Sequence, residues 1–94
     1  EEAGFSVVKD YVGHGIGRKL HEEPQIPNFG QPNQGPVLEE GMVLALEPMV
    51  NAGASDVEVM PDNWTVITQD KKLSAHFEHT VEIGQRGPRV LTSL

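Results

Sequence analysis

The chain has 94 residues, with 14 acidic side chains against 7 basic ones and a formal charge of −7, a balance that argues against nucleic acid and anionic membrane as partners, since both recruit clustered Lys and Arg. A chain of this length fits one small domain and buries only roughly 60–65% of its unfolded surface, which leaves a thin core. Cysteine is absent, so disulfides, thiolate metal sites and a cysteine nucleophile are excluded; the absence is compatible with the cytoplasm, the compartment expected here, without establishing it.

The opening Glu1-Glu2-Ala3-Gly4 lacks the basic start and apolar centre of a signal peptide. It reads as the last turn of a helix capped by Gly4, and the chain is therefore expected to be a segment of a longer protein. Phe5-Ser6-Val7-Val8 is a short β-prone run that Tyr11-Val12 can prolong. From residue 13 to residue 41, glycines at 13, 15, 17, 30, 35 and 41 and prolines at 24, 27, 32 and 36 predict one long loop in place of helix or ladder. Ile16, Leu20, Ile26 and Phe29 within it favour a docked, functional loop.

Glu39-Glu40-Gly41 predicts a turn. Residues 42–50 form an almost continuous apolar run, the mark of a strand covered on both faces, and Pro48 requires its pairing to break or to lie at an edge there. Residues 57–60 and 64–68, around Pro61-Asp62-Asn63, predict a β-hairpin. Residues 73–83 form the longest strand candidate, with residues 89–92 as its partner. No amphipathic helix of useful length appears, no apolar run approaches the roughly 20 residues of a membrane-crossing helix, and the chain reads as mostly β.

Chemistry concentrates in a few places. His14 stands between two glycines, which let the backbone come close to whatever the imidazole touches; it is either a solvated loop residue or a metal ligand. His21 follows seven residues later, with the same alternatives. Glu47 comes after four apolar residues, where a buried carboxylate needs a positive partner. It is either a cation ligand, held in direction by the extended conformation that precedes proline, or it is turned into solvent by Pro48. Strict alternation sets Glu78 on the face opposite Phe77, His79, Val81 and Ile83; that face is either solvent or the wall of a site, and a bulge would re-aim the side chain. His76 and His79 lie too close to Glu78 along the strand to converge with it and read as supporting residues. One imidazole and two carboxylates suit an oxygen-rich metal site, but are too few for a complete two-metal centre.

Other motifs fail. His21-Glu22-Glu23-Pro24-Gln25 lacks the second histidine of the zinc-protease helix, and Pro24 prevents that helix. The glycines at 13, 15 and 17 lack dinucleotide-loop spacing, and no nucleophile elbow is present.

Taken together, Gly13-His14-Gly15-Ile16-Gly17-Arg18, His21-Glu22-Glu23-Pro24-Gln25-Ile26-Pro27, Glu47-Pro48-Met49-Val50-Asn51-Ala52-Gly53, Asp62-Asn63-Trp64-Thr65 and Ser74-Ala75-His76-Phe77-Glu78-His79-Thr80 resemble the C-terminal half of the type I methionine aminopeptidases. The resemblance implies an α+β class, the C-terminal half of a pita-bread fold, with a curved antiparallel sheet normally covered by helices from the preceding half. Residues 1–94 would be the C-terminal part of a metalloaminopeptidase catalytic domain. It further implies that His14 and Glu47 bind one metal, that Glu78 bridges two, that His21 contacts the scissile peptide, and that Trp64 walls the pocket for the methionine side chain. Leu20 stands at a pocket position that is often aromatic in that family.

The implied cofactors are two divalent ions, with Mn, Fe or Co favoured by carboxylate and imidazole donors. The implied substrate is a peptide or nascent-protein N-terminus, from which the initiator methionine is removed. The family's two aspartate ligands and a further histidine lie in the preceding chain, so the segment alone is expected to be inactive and, with its outer face uncovered, to self-associate. An Xaa-Pro dipeptidase-like hydrolase and a non-catalytic pita-bread module are the alternatives; the 51–53 and 62–64 segments favour the methionine enzyme.

Overall fold

Short β-branched and apolar runs punctuated by Gly and Pro build strands without helices, and a computed structural model describes residues 1–94 in these terms. The strands are β1 (Ser6–Val7), β2 (Gly13–Ile16), β3 (Glu22–Ile26), β4 (Val43–Leu46), β5 (Met49–Asn51), β6 (Val57–Val59), β7 (Val66–Thr68), β8 (Ser74–His76), β9 (His79–Gly84) and β10 (Gly87–Val90). They form a five-stranded sheet of order β10-β9-β4-β2-β3, a three-stranded sheet of order β1-β5-β8, and the β6-β7 pair. Every pairing is antiparallel. The α part of the expected α+β class is not found within these residues.

The structure corrects the expectation of one uninterrupted loop over residues 13–41. β2 and β3 pair inside it, with Gly13 opposite Ile26, His14 opposite Gln25, and a register shift between His14 and Gly15. The glycines there permit close approach of chains: a Cβ on Gly13 would strike the Ala45 carbonyl, and one on Gly15 the Glu23 carbonyl. Pro24 is tolerated because β3 is the sheet's edge, where a missing N–H costs no central ladder bond. Loop structure proper is confined to residues 17–21 and 27–42.

Two long strand candidates are each cut in two. β4 ends at Leu46 and β5 begins at Met49; β8 ends at His76 and β9 begins at His79. Leu46 pairs with His79 and Met49 with His76, so the interruptions lie opposite one another, bridged by Phe77 N–H donating to the Pro48 carbonyl at 3.1 Å. The break foreseen at Pro48 thus occurs. The continuous strand read over residues 73–83 does not, and with it fails the simple alternation used for Glu78. The expected cover on both faces of residues 42–50 is partial: Leu44 and Ala45 are buried, whereas Leu46 is exposed.

The core is small, with 8 of 94 residues buried, among them Val8, Leu44, Ala45, Val81 and the polar Asn51 and Thr68. Asn51 donates to the Ala54 carbonyl at 3.0 Å and accepts from the Ser74 hydroxyl at 2.6 Å, satisfying a side chain whose orphaning would cost about 1–3 kcal/mol. Leu73, Phe77 and Trp64 are apolar side chains left exposed.

Two surface carboxylates brace turns. Asp70 accepts the Ala54 N–H at 2.8 Å and the Lys72 N–H at 3.0 Å, and these bonds, that from Ala54 first, lower its pKa from 3.8. Asp62 is lowered from the same value, chiefly by the Thr65 hydroxyl and then by the Thr65 and Trp64 amides. In each case the unfolded chain binds the proton more readily, so the stabilisation is present above pH 3.8 and is lost as pH falls through the lower folded values. Asp70→Asn should therefore flatten the acid side of the stability curve, read as urea midpoints below pH 3.8; an unchanged slope would contradict this.

Candidate metal centre

The strand interruptions create the site. Glu47 and Pro48 lie between β4 and β5, and Phe77 and Glu78 between β8 and β9. Freed from ladder geometry at facing positions, the Glu47 and Glu78 side chains turn toward the neighbouring strand β2, where His14 lies opposite Ala45. One donor atom from each of His14, Glu47 and Glu78 lies within 4.8 Å of the others. These are the three side chains named from sequence as metal ligands.

The contact between His14 and Glu47 is informative. His14 Nδ1 lies 3.0 Å from the Gly15 carbonyl, and because a carbonyl can only accept, Nδ1 carries the proton in that bond. His14 Nε2 then faces Glu47 Oε2 at 3.1 Å. In neutral imidazole this sets a lone pair against a carboxylate oxygen, an arrangement that calls for a proton or a cation between them. Side-chain exposures of 13% for His14 and 18% for Glu47 leave little water to serve instead, and rule out the reading in which Pro48 turns Glu47 into solvent. Glu78 is more exposed. The donor set, one imidazole whose other nitrogen is fixed to a carbonyl together with two carboxylates, fits a divalent ion of oxygen preference.

His21 is brought to the same place. Its ring lies against that of His14, with centroids 4.0 Å apart and planes inclined by 37°, and both line a hollow with Val12, Gly13, Glu22, Glu23 and Gln25. His76 also approaches the group, with Nε2 at 3.7 Å from Glu47 Oε1. Its supporting character was read from sequence, but its partner was not, because the interruption turns it to Glu47 across the strands. His79 faces away, its Nδ1 2.8 Å from the Thr92 hydroxyl.

Trp64 stands apart from these contacts. It occupies the turn between β6 and β7, is 86% exposed, and gives its backbone N–H to Asp62 at 2.9 Å. Leu20, on the loop before β3, is also exposed. Glu22, which lines the same hollow as His14 and His21 and accepts the Lys19 N–H at 2.8 Å, was not singled out from sequence; the local signal was a carboxylate three residues after a loop amide.

The profile of metallopeptidase family M24 matches residues 1–85. A methionine aminopeptidase of Clostridium perfringens is 62% identical over 92 residues, covering 98% of this chain and 37% of its own length. Methionine aminopeptidase 1 of Bacillus subtilis is 60% identical with the same coverage. Among solved structures, the methionine aminopeptidase of Thermotoga maritima superposes with a TM-score of 0.95 at 54% identity, covering 99% of this chain and 37% of that one. That of Rickettsia prowazekii gives 0.93 at 47% identity, covering 98% and 38%. The chain thus spans about 37% of the length of the curated relatives it matches.

Proposed function

Because this chain belongs to metallopeptidase family M24 and forms part of that family's pita-bread fold, we propose that it is the C-terminal part of the catalytic domain of a methionine aminopeptidase. The complete enzyme would remove the initiator methionine from nascent proteins whose next residue is small, in the cytoplasm where such chains emerge. The observation that carries this reading is the approach of His14 Nε2 to Glu47 Oε2 at 3.1 Å, with a Glu78 donor in the same group.

In this proposal His14 and Glu47 would hold one divalent ion and Glu78 would serve both ions, with Mn, Fe or Co suited to the donors. When bound, such ions supply an acidified water and positive charge at the peptide carbonyl. The residues of the chain divide the remaining work. Glu47 also accepts a proton from the attacking water. His21 contacts the scissile peptide and steadies the charge that develops on its oxygen. Trp64 forms a wall of the methionine pocket in the complete enzyme.

The test is methionine release from a Met-Ala-Ser peptide by the complete protein, lost on chelation and restored by Mn(II) or Co(II). This chain alone should release none under the same conditions, since three protein ligands provide for one weakly held ion. Release that ignores chelation, or release by this chain alone, would overturn the respective half of the proposal.

A further inference from the structure

We infer that Glu22 is a positioning residue, the clasp that holds the His21 loop against His14; the inference rests on the proposed role of His21 at the peptide. The loop over residues 17–21 joins β2 to β3 and contains no regular structure. Its internal bonds are few: Gly17 N–H donates to the Lys19 carbonyl at 3.1 Å, and Lys19 N–H donates to Glu22 Oε2 at 2.8 Å. The same carboxylate covers Gly17, where a Cβ would strike Glu22 Oε1 and lie 2.8 Å from Oε2. One side chain is therefore fastened to the middle of the loop and laid against its first residue.

The anchor is firm and the cargo is not. Glu22 is the first residue of β3 and is registered opposite Gly15, beside the bulge that follows His14. His21, one residue earlier, makes no hydrogen bond through its ring and is located by the stack on His14 alone. Residues 17–21 are exposed, so packing cannot hold the loop, and each freed residue regains backbone entropy. Loss of the carboxylate leaves His14 in β2 and Glu47 in the break between β4 and β5, while His21 samples many positions. Since small misplacements of a group at a reacting centre cost large factors in rate, the effect falls on turnover more than on metal loading.

Three variants of the complete enzyme test this. Glu22→Ala should lower kcat by about 10–100-fold, the range for removal of an orienting partner, with KM changed by less than about threefold. Glu22→Gln keeps an acceptor for the Lys19 amide and should retain kcat within about threefold. Gly17→Ala, whose methyl displaces the carboxylate, should resemble Glu22→Ala. An independent reading needs no turnover: in metal-free protein the His21 imidazole proton resonances, displaced by the His14 ring, should move toward random-coil positions in Glu22→Ala and stay in Glu22→Gln. Equal kcat losses in the Ala and Gln variants, or unmoved His21 resonances in Glu22→Ala, would overturn the inference. If wild-type enzyme releases no methionine, the functional reading fails instead, and the resonances still decide whether the clasp exists.

Discussion

Glu47→Gln in the complete enzyme is expected to lower methionine release by about a thousandfold, the upper range for loss of a group that manages charge at a reaction centre. The substitution is nearly isosteric and removes one negative charge from a side chain only 18% exposed. In metal-free protein the change is mild, because the new amide N–H can donate to His14 Nε2 and supply the hydrogen missing from that contact. In loaded protein it is severe, because an amide is a poor ligand and leaves only an imidazole and one carboxylate of the donors this chain provides. The discriminating measurement is the rise in Tm on adding Mn(II), which reports binding to the native state as RT ln(1 + [L]/Kd). Wild type should show it and Glu47→Gln should not. Equal rises in the two proteins would remove Glu47 from the ligand set.

Gly13→Ala should destabilise the complete enzyme by about 3 kcal/mol, at the upper end of overpacking costs. The added methyl lands on the Ala45 carbonyl and within 3.2 Å of Ile26 Cβ. Ala45 belongs to β4, paired with β2 on one side and β9 on the other, so its carbonyl yields only if the ladder that carries His14 opens. Against a total of roughly 5–15 kcal/mol for a native domain, the loss is large. A fall in the urea midpoint with unchanged slope would register it as stability alone. A loss below about 1 kcal/mol, the lower bound for overpacking, would show that the strands can part cheaply and that glycine is not required there.

These two residues illustrate what could be read from the chain and what could not. His14, Glu47 and Glu78 stood out because each is a polar group in surroundings that do not explain it, and the structure draws their donor atoms into one group. Gly13 and Gly15 were misread because glycine marks both a turn and a close approach of chains, and only the partner distinguishes them. Residues 77 and 78 contain neither Gly nor Pro, so no local signal marks the end of β8. The cause lies across the sheet, where Pro48 has no N–H to give. A distant proline thus breaks a strand whose own sequence favours continuity, and alternation along residues 73–83 could not reveal it.

The facing interruptions have a consequence for ion choice. Glu47 and Glu78 hang from backbones held together by the Phe77 to Pro48 hydrogen bond and by the flanking pairs Leu46 with His79 and Met49 with His76, so the gap between their attachment points stays near the interstrand spacing, about 4.8 Å. Such a gauge cannot widen for a large cation or contract for a small one without shearing both sheets. Discrimination by ionic radius must then reside in the remaining donors, and exchanging one acidic side chain for the other should alter how tightly an ion is held far more than which ion is preferred.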